Sequence, residues 1–157
     1  MRSTRNGTMV ALVLALLGTL GCGGGSVEGV PKKLVPFSGT VTVDGKPAMG
    51  TTLQFLQDGP KTKGVGGSSY GVADQNGKYT LKYRGEKEGV PPGTYKVVIS
   101  RMAMPDGSPA PSGMSPTDAG AVESLAPEFS NPDSSQQTVI VGDKGGTQNY
   151  QLSSMKK

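Results

Sequence analysis

Apolar and polar residues alternate in several short segments between residues 37 and 152. In FSGTVTV (37–43), apolar residues and glycine occupy every second position, and hydroxyl side chains fall between them. A two-residue period is typical of a strand with one buried face. The same alternation recurs in TLQFL (52–56), YGVAD (70–74), KYTLKY (78–83), TYKVVIS (94–100), QTVIV (137–141) and QNYQL (148–152). The pattern predicts seven strands whose inward faces carry six aromatic residues: Phe37, Phe55, Tyr79, Tyr83, Tyr95 and Tyr150.

Glycine-containing turns connect these segments. Asp44-Gly45 follows the first strand, and Asp-Gly favours a type I′ turn because both central residues need positive φ. This turn predicts a hairpin in which residues 52–56 return beside residues 37–43. The turn DQNG (74–77) lacks the alternating ligands and the distant glutamate of a calcium loop. We therefore expect Asp74 to accept hydrogen bonds within its own turn. Short strands with such turns indicate an all-β protein, an antiparallel seven-stranded β-sandwich.

Residues 101–135 form a segment that is too long for an ordinary sandwich loop. Its proline, glycine, serine and aspartate content predicts mobile coil. The sequence SPTD (115–118) is typical of a helix start and predicts one or two helical turns through Leu125. The segment is either a surface excursion or a binding loop, since functional loops are often long.

Composition excludes several kinds of chemistry. The chain has no histidine and one cysteine, so Ser-His-Asp and Cys-His systems, imidazole metal sites and an internal disulfide are all ruled out. The net charge of +4 falls to +2 without Arg2 and Arg5, which leaves 14 basic against 12 acidic residues. No basic cluster with interleaved aromatics is present, so we expect no nucleic-acid partner. Glu86 and Glu88 lie in a glycine-flanked turn, where surface charge is a better interpretation than acid–base catalysis.

The N-terminal region has the organisation of a secretion signal. Arg2 and Arg5 precede an apolar run over residues 9–20 that is too short to span a bilayer. The sequence GTLGC (18–22) then resembles a bacterial lipobox, with Thr19 where leucine is usual. The resemblance implies that Cys22 carries a diacylglyceryl thioether and an N-acyl chain and becomes the first residue after cleavage. Gly23 follows it, with no aspartate of the inner-membrane retention type, which favours the outer membrane. The alternative is an ordinary cleaved signal with an incidental thiol.

A family resemblance appears in the strand-rich region. The segments SGTVTVDGKPAMGTTLQF, GVADQNGKYTLKY and PPGTYKVVIS resemble, in that order, the motifs of the carboxypeptidase regulatory-like domain. The resemblance covers about residues 37–152 and implies a transthyretin-like or immunoglobulin-like sandwich. A purine-pathway hydrolase of the transthyretin fold uses histidines, which this chain lacks.

These observations predict three parts. Residues 1–21 are a lipoprotein signal peptide, residues 22–35 a lipidated flexible tether, and residues 36–153 the β-sandwich with a coil insertion at 101–135. We expect a lipid-anchored protein of the cell envelope that is not an enzyme and has no cofactor or metal site. Its domain serves structural or protein-interaction purposes, so its partners are the membrane and an envelope protein. The alternative is a module that binds envelope polysaccharide or a peptide through residues 101–135.

Replacing Cys22 with alanine is expected to release the protein from the membrane fraction, because the thiol that carries the acyl chains is lost. Intact-mass measurement of the wild-type membrane fraction should find a chain that begins at Cys22 and carries acyl groups. Ser26→Ala, in the same segment, is the control and should remain membrane-bound. A wild-type protein that is soluble and unmodified would contradict the assignment.

Overall fold

In the part of the chain that the structure describes, nearly all regular secondary structure is β-strand, as the alternation predicts. A computed structural model describes Pro31, residues 33–57 and residues 67–155. The predicted signal peptide and Cys22 lie outside the described residues, as does most of the predicted tether. The strands are β1 Phe37–Val43, β2 Lys46–Pro47, β3 Thr52–Gln57, β4 Ser69–Val72, β5 Lys78–Thr80, β6 Lys82–Tyr83, β7 Lys87–Glu88, β8 Gly93–Ser100, β9 Met102–Ala103, β10 Val122–Glu123, β11 Thr138–Val141, β12 Gly146–Thr147 and β13 Tyr150–Leu152, and the helix α1 is Pro127–Ser130. Within the described ranges, no helix has the length and apolarity needed to cross a membrane.

Two sheets form the body of the domain. The larger has the order β11-β8-β3-β4-β6-β7, and all of its neighbouring strands are antiparallel. The smaller is centred on β1, which pairs antiparallel with β2 and β5 but parallel with β12 and β13. The expectation of purely antiparallel pairing is therefore wrong for this sheet. The register opposes Phe37 to Gly146 and Val43 to Leu152, so the returning chain follows β1 from its first residue to its last in the same direction.

The first hairpin differs from its prediction. The turn itself is confirmed, with φ of 51° at Asp44 and 75° at Gly45. The returning strand, however, is the two-residue β2, and β3 belongs to the larger sheet, where it pairs with β8 and β4. A second turn separates β2 from β3, and Gly50 adopts a φ of 77° within it. This turn redirects the chain to the other sheet, because a positive φ reverses the backbone where an L-residue would be strained.

The segment 78–83, predicted as one strand, changes sheets at Leu81. Its first part, β5, pairs with β1, and its second part, β6, pairs with β4. The Leu81 N–H donates to the Phe37 carbonyl at 2.9 Å, and the Leu81 carbonyl accepts from Gly89 N–H at 2.8 Å. Tyr79, Leu81 and Tyr83 are all buried, so the alternation of side chains continues through the change of partner.

Both sheets contribute to one apolar core, which makes the arrangement sandwich-like. Phe55 of β3 is fully buried between an aromatic residue of each sheet. Its ring centroid lies 5.5 Å from that of Phe37 in an edge-on contact and 5.9 Å from that of Tyr95. The six aromatic residues predicted to point inward are all buried: Phe37, Phe55, Tyr79, Tyr83, Tyr95 and Tyr150.

Residues 101–135 are more regular than the predicted coil. They contain the antiparallel ribbon of β9 and β10 and the helix α1. The predicted helix through Leu125 is wrong, because residues 116–120 form turns and the chain then extends to pair with β9. Leu125 itself is fully buried in the core cluster, so the segment is attached to the domain by apolar packing.

Phe55→Ala is expected to destabilise the domain by about 3–5 kcal/mol, because it leaves a cavity where the two sheets meet. Val72→Ala is the control. Its side chain is 62% exposed on the same sheet, and its loss should cost less than about 1 kcal/mol. Urea unfolding of both variants measures the difference, and similar midpoints would contradict the role given to the Phe55 contact.

Candidate functional site

A groove with a volume of about 720 Å³ lies beside the end of β1. Three parts of the chain that are far apart in sequence line it: residues 43–48, residues 101–109 with 122–124, and residues 154–155. Its volume lies in the range of sites that hold small molecules or peptide side chains. The groove brings apolar and charged side chains from these distant segments together, and we take it as the candidate functional site.

The walls of the groove are largely apolar. Val122 and Met155 line it with side chains that are 52% and 43% exposed. Methionine is flexible and polarizable, so a wall that includes Met104 and Met155 can adapt to apolar groups of different shape. The apolar lining residues are Val43, Pro47, Ala48, Ala103, Met104, Pro105, Pro109, Val122 and Met155.

Glu123 of β10 holds the ribbon in position. One carboxylate oxygen accepts from the backbone N–H of Arg101 at 3.1 Å and of Leu125 at 2.8 Å. The other accepts from the Ser100 hydroxyl at 2.6 Å. Hydrogen bonds to a charged acceptor are short and strong. The bonds from Ser100 and Arg101 connect β10 to the end of β8, and the bond from Leu125 fixes the chain that follows β10. The carboxylate therefore acts as a structural acceptor at the groove wall.

Arg101 spans the same wall. Its guanidinium donates to the Gly107 carbonyl at 2.9 Å and makes a longer contact of 3.4 Å with the Ser124 hydroxyl. The Ser124 hydroxyl in turn donates to the Arg101 carbonyl at 2.8 Å. The Nε of Arg101 is buried and has no hydrogen-bond partner among the described residues. These contacts hold residues 101–107 in a defined loop that forms one side of the groove.

Asp44 connects the hairpin turn to the last described residues. Its carboxylate accepts from the Ser154 hydroxyl at 2.6 Å and from the Ser154 N–H at 3.1 Å. The pKa of Asp44 is lowered, first by the hydroxyl bond and then by the backbone bond. The positive charges of Arg101 and Lys46 lower it further. An ionised Asp44 thus keeps residues 154–155 against the groove.

The rim of the groove carries charges of both signs. Asp44, Asp106 and Glu123 face the same cavity as Lys46 and Arg101. The Asp44 and Glu123 carboxylates already accept hydrogen bonds from neighbouring residues of the protein. They therefore serve as fixed charges and support the walls. In the part of the chain that the structure describes, no group of three or more His, Cys, Asp or Glu side chains could hold a metal ion. The arrangement is suited to binding an apolar group that is flanked by polar or charged ones.

The other residues that the sequence singles out lie away from the groove. Asp74 accepts from Asn76 N–H at 2.8 Å and from Lys78 N–H at 2.9 Å, so the predicted turn bonding is confirmed. Glu86 and Glu88 are exposed, as predicted. Cys22, the predicted lipid attachment site, lies outside the described residues.

Sequence reasoning identified one wall of the groove and missed the others. Residues 101–124 supply most of the lining, and they belong to the segment for which a binding loop is one of the two interpretations. The sequence predicts Asp44 only as part of a turn and carries no prediction for Lys46 or for residues 154–155. No sequence signal pointed to them, because they reach the groove only when β1 and β13 pair.

Comparisons with known proteins do not assign the chain to a family. No protein-family model matches the chain, and a comparison with curated protein sequences found no match. Among solved structures, the chain is similar to a 9R-lipoxygenase from Cyanothece PCC8801, with 19% sequence identity and a TM-score of 0.31. The similarity covers 80% of this chain and 17% of the lipoxygenase chain. At that TM-score the similarity carries no argument about fold or activity.

Ser154→Ala is expected to raise the pKa of Asp44 toward the ordinary carboxyl range near 4, because the bond that lowers it most is lost. A depressed pKa means that the contact stabilises the fold above about pH 4 and is lost as the pH falls through the folded-state pKa. NMR titration of the Asp44 carboxyl carbon measures this pKa, with the exposed neighbour variant Ser153→Ala as the control. An unchanged Asp44 pKa in Ser154→Ala would contradict the geometry.

Proposed function

We propose that the chain is a lipid-anchored cell-envelope protein whose non-catalytic β domain binds a protein partner through the groove at the end of β1. The observation that carries the binding role is the groove itself. It has apolar walls with exposed Val122 and Met155, and hydrogen bonds of Glu123, Arg101 and Asp44 support those walls. A pre-formed, largely apolar cleft with a few placed polar groups is the usual form of a binding site.

The position of the groove agrees with anchoring at the N-terminus. The chain enters the domain at the start of β1, where Val35 pairs with Val90. The groove is at the other end of the same strand, beside Val43. Six strand steps of about 3.3 Å separate Phe37 from Val43 by about 20 Å. In a domain tethered through Cys22, the groove would therefore lie about 20 Å from the point at which the tether enters.

The kind of partner follows from the walls of the groove. An extended protein segment can bury an apolar side chain against Val122 and Met155 while its backbone and polar groups meet Arg101 or Lys46. Sugars usually stack on exposed aromatic rings, and none of the lining residues is aromatic. The groove chemistry thus favours a protein partner.

The finer fold assignment also remains a proposal. We propose a transthyretin-like or immunoglobulin-like sandwich of the carboxypeptidase regulatory-like type. Each of the seven predicted segments overlaps a strand, and the two sheets share one core, which supports this assignment. The added short strands and the parallel partners of β1 are departures that the resemblance does not explain.

Binding of envelope polysaccharide is the second candidate function. The charged rim favours it, because Asp44, Lys46 and Arg101 could hydrogen-bond hydroxyl or uronate groups. In this alternative residues 101–135 would still provide the binding surface.

Peptide selection tests the proposal without a known partner. Full-length protein is used to select from a displayed library of random linear peptides, and the affinity of the selected peptides is then measured by titration calorimetry. We expect peptides rich in apolar residues. Val122→Lys should weaken the affinity of these peptides by about tenfold or more, because it places a charge in the apolar wall.

Val72→Lys is the matched control for this experiment. It introduces the same charge at an exposed valine that does not line the groove and should leave peptide affinity unchanged. Peptide binding that Val122→Lys does not affect would contradict the groove as the site. Binding of purified envelope polysaccharide that Val122→Lys abolishes would favour the second candidate.

A further inference from the structure

The outer edge of β11 is a separate surface, on the side of the larger sheet. β11 occupies one end of the strand order and pairs only with β8 among the described residues. The Val97 N–H donates to the Gln137 carbonyl at 2.8 Å. In an antiparallel ladder every second residue bonds to the neighbouring strand. Since Gln137 bonds to β8, Val139 and Val141 are the residues of β11 that also bond to it. The N–H and C=O groups of Thr138 and Ile140 therefore point away from β8.

The side chains along this edge are unusual for an unpaired strand. Ile140 is 77% exposed, the most exposed of the large apolar side chains in the described ranges. Residues 134–142 contain no charged residue and no proline. Soluble proteins usually protect a free strand edge with charge, proline, a bulge or a covering loop. Neither charge nor proline protects the edge of β11.

The opposite edge of the same sheet shows the contrast. It is formed by β7, which has only two residues, Lys87 and Glu88, both charged and exposed. Charged side chains on a short edge strand discourage pairing with another chain. One edge of the sheet thus has ordinary protection, whereas the other is a β-branched strand whose outward N–H and C=O groups have no partner strand among the described residues.

We propose that β11 is a self-association surface, on which β11 of a second copy of this chain pairs antiparallel about a two-fold axis at Val139. This register places Thr138 opposite Ile140 of the second copy, and Ile140 opposite Thr138 of the second copy. Both are pairs in which the outward N–H and C=O groups meet. The pairing therefore forms four backbone hydrogen bonds and joins two six-stranded sheets into one.

A second copy fits this edge because of its charge and its symmetry. Two-fold pairing brings each residue close to its own equivalent, so a charge on the strand would oppose a like charge across the axis. The absence of charge over residues 134–142 removes that repulsion. The outward Thr138 and Ile140 side chains of the two copies lie on one face, where the isoleucines shield each other from water. This inference is independent of the groove and of lipid attachment.

Site-specific photo-crosslinking of the full chain tests the proposal. The photoreactive residue p-benzoylphenylalanine replaces Ile140, and in a matched control it replaces Val72, which is 62% exposed on β4 in the interior of the same sheet. Irradiation should produce a species of twice the chain mass from position 140 and none from position 72. Equal yields at both positions, no dimer from position 140, or a crosslink to a different protein would overturn the proposal.

A backbone variant separates strand pairing from chance contact. Thr138→Pro, combined with the photoreactive residue at 140, removes the outward N–H of each copy and so two of the four hydrogen bonds. The crosslinked fraction should fall on the order of tenfold, whereas Thr138→Ala should retain it. The proline variant should still fold, because that N–H does not bond to β8, and circular dichroism checks this.

A third variant covers the case in which Thr138→Pro does not fold. Ile140→Lys changes only an exposed side chain and places two like charges near the two-fold axis. Sedimentation equilibrium of the full chain should then show a dissociation constant for the dimer that is at least about tenfold higher than in wild type. An unchanged constant, or a wild-type chain that stays monomeric over the concentration series, would overturn the proposal.

Discussion

Apolar packing between the two sheets is the interaction on which the rest of the structure depends. With one cysteine in the chain, no internal disulfide can hold the sheets together, so burial of side chains has to do so. Phe55 contacts Phe37 of one sheet and Tyr95 of the other. Two of the buried tyrosines keep their hydroxyl groups bonded: Tyr95 donates to the Pro91 carbonyl at 2.6 Å and Tyr79 to the Gln148 carbonyl at 2.8 Å. Burial raises the pKa of Tyr95 to about 12, so this phenol stays neutral and compatible with the core.

The groove is a consequence of how the insertion attaches to that core. Leu125 is buried in the same apolar cluster as Phe55, and Glu123, two residues earlier, accepts hydrogen bonds from the end of β8. Together they hold the ribbon of β9 and β10 beside the end of β1. A segment with the composition of a coil thus forms a well-defined wall of the groove, because a few buried contacts offset the entropic cost of ordering its backbone. The groove needs this attachment, since most of its lining lies between residues 101 and 124.

The two proposed interaction surfaces use different physical means. The groove offers apolar side chains and fixed charges to a partner of another kind, and it lies at the far end of β1 from the chain entry. The edge of β11 offers backbone donors and acceptors with an exposed isoleucine, which suits a strand of the same chain. The two surfaces share no residues, so substitutions at one of them leave the side chains of the other unchanged.

The local pattern of residues determined which side chains face inward and where the chain turns. Alternation depends only on the geometry of a strand, so the six inward aromatics could be predicted without knowledge of the partner strands. The turns at Asp44-Gly45 and Asp74–Gly77 depend on backbone preferences of a few adjacent residues. The zero histidine count and the Cys22 context are likewise properties of the sequence alone.

Tertiary structure alone decided the pairing of strands and the location of the groove. The sequence contains no local sign that β3 leaves its hairpin for the other sheet, that the chain changes sheets at Leu81, or that β1 takes parallel partners. These outcomes depend on contacts between residues far apart in the chain, whose energies are settled by packing the whole core. The groove brings Asp44, Arg101 and Ser154 together for the same reason, since only the folded sheets place these distant segments side by side.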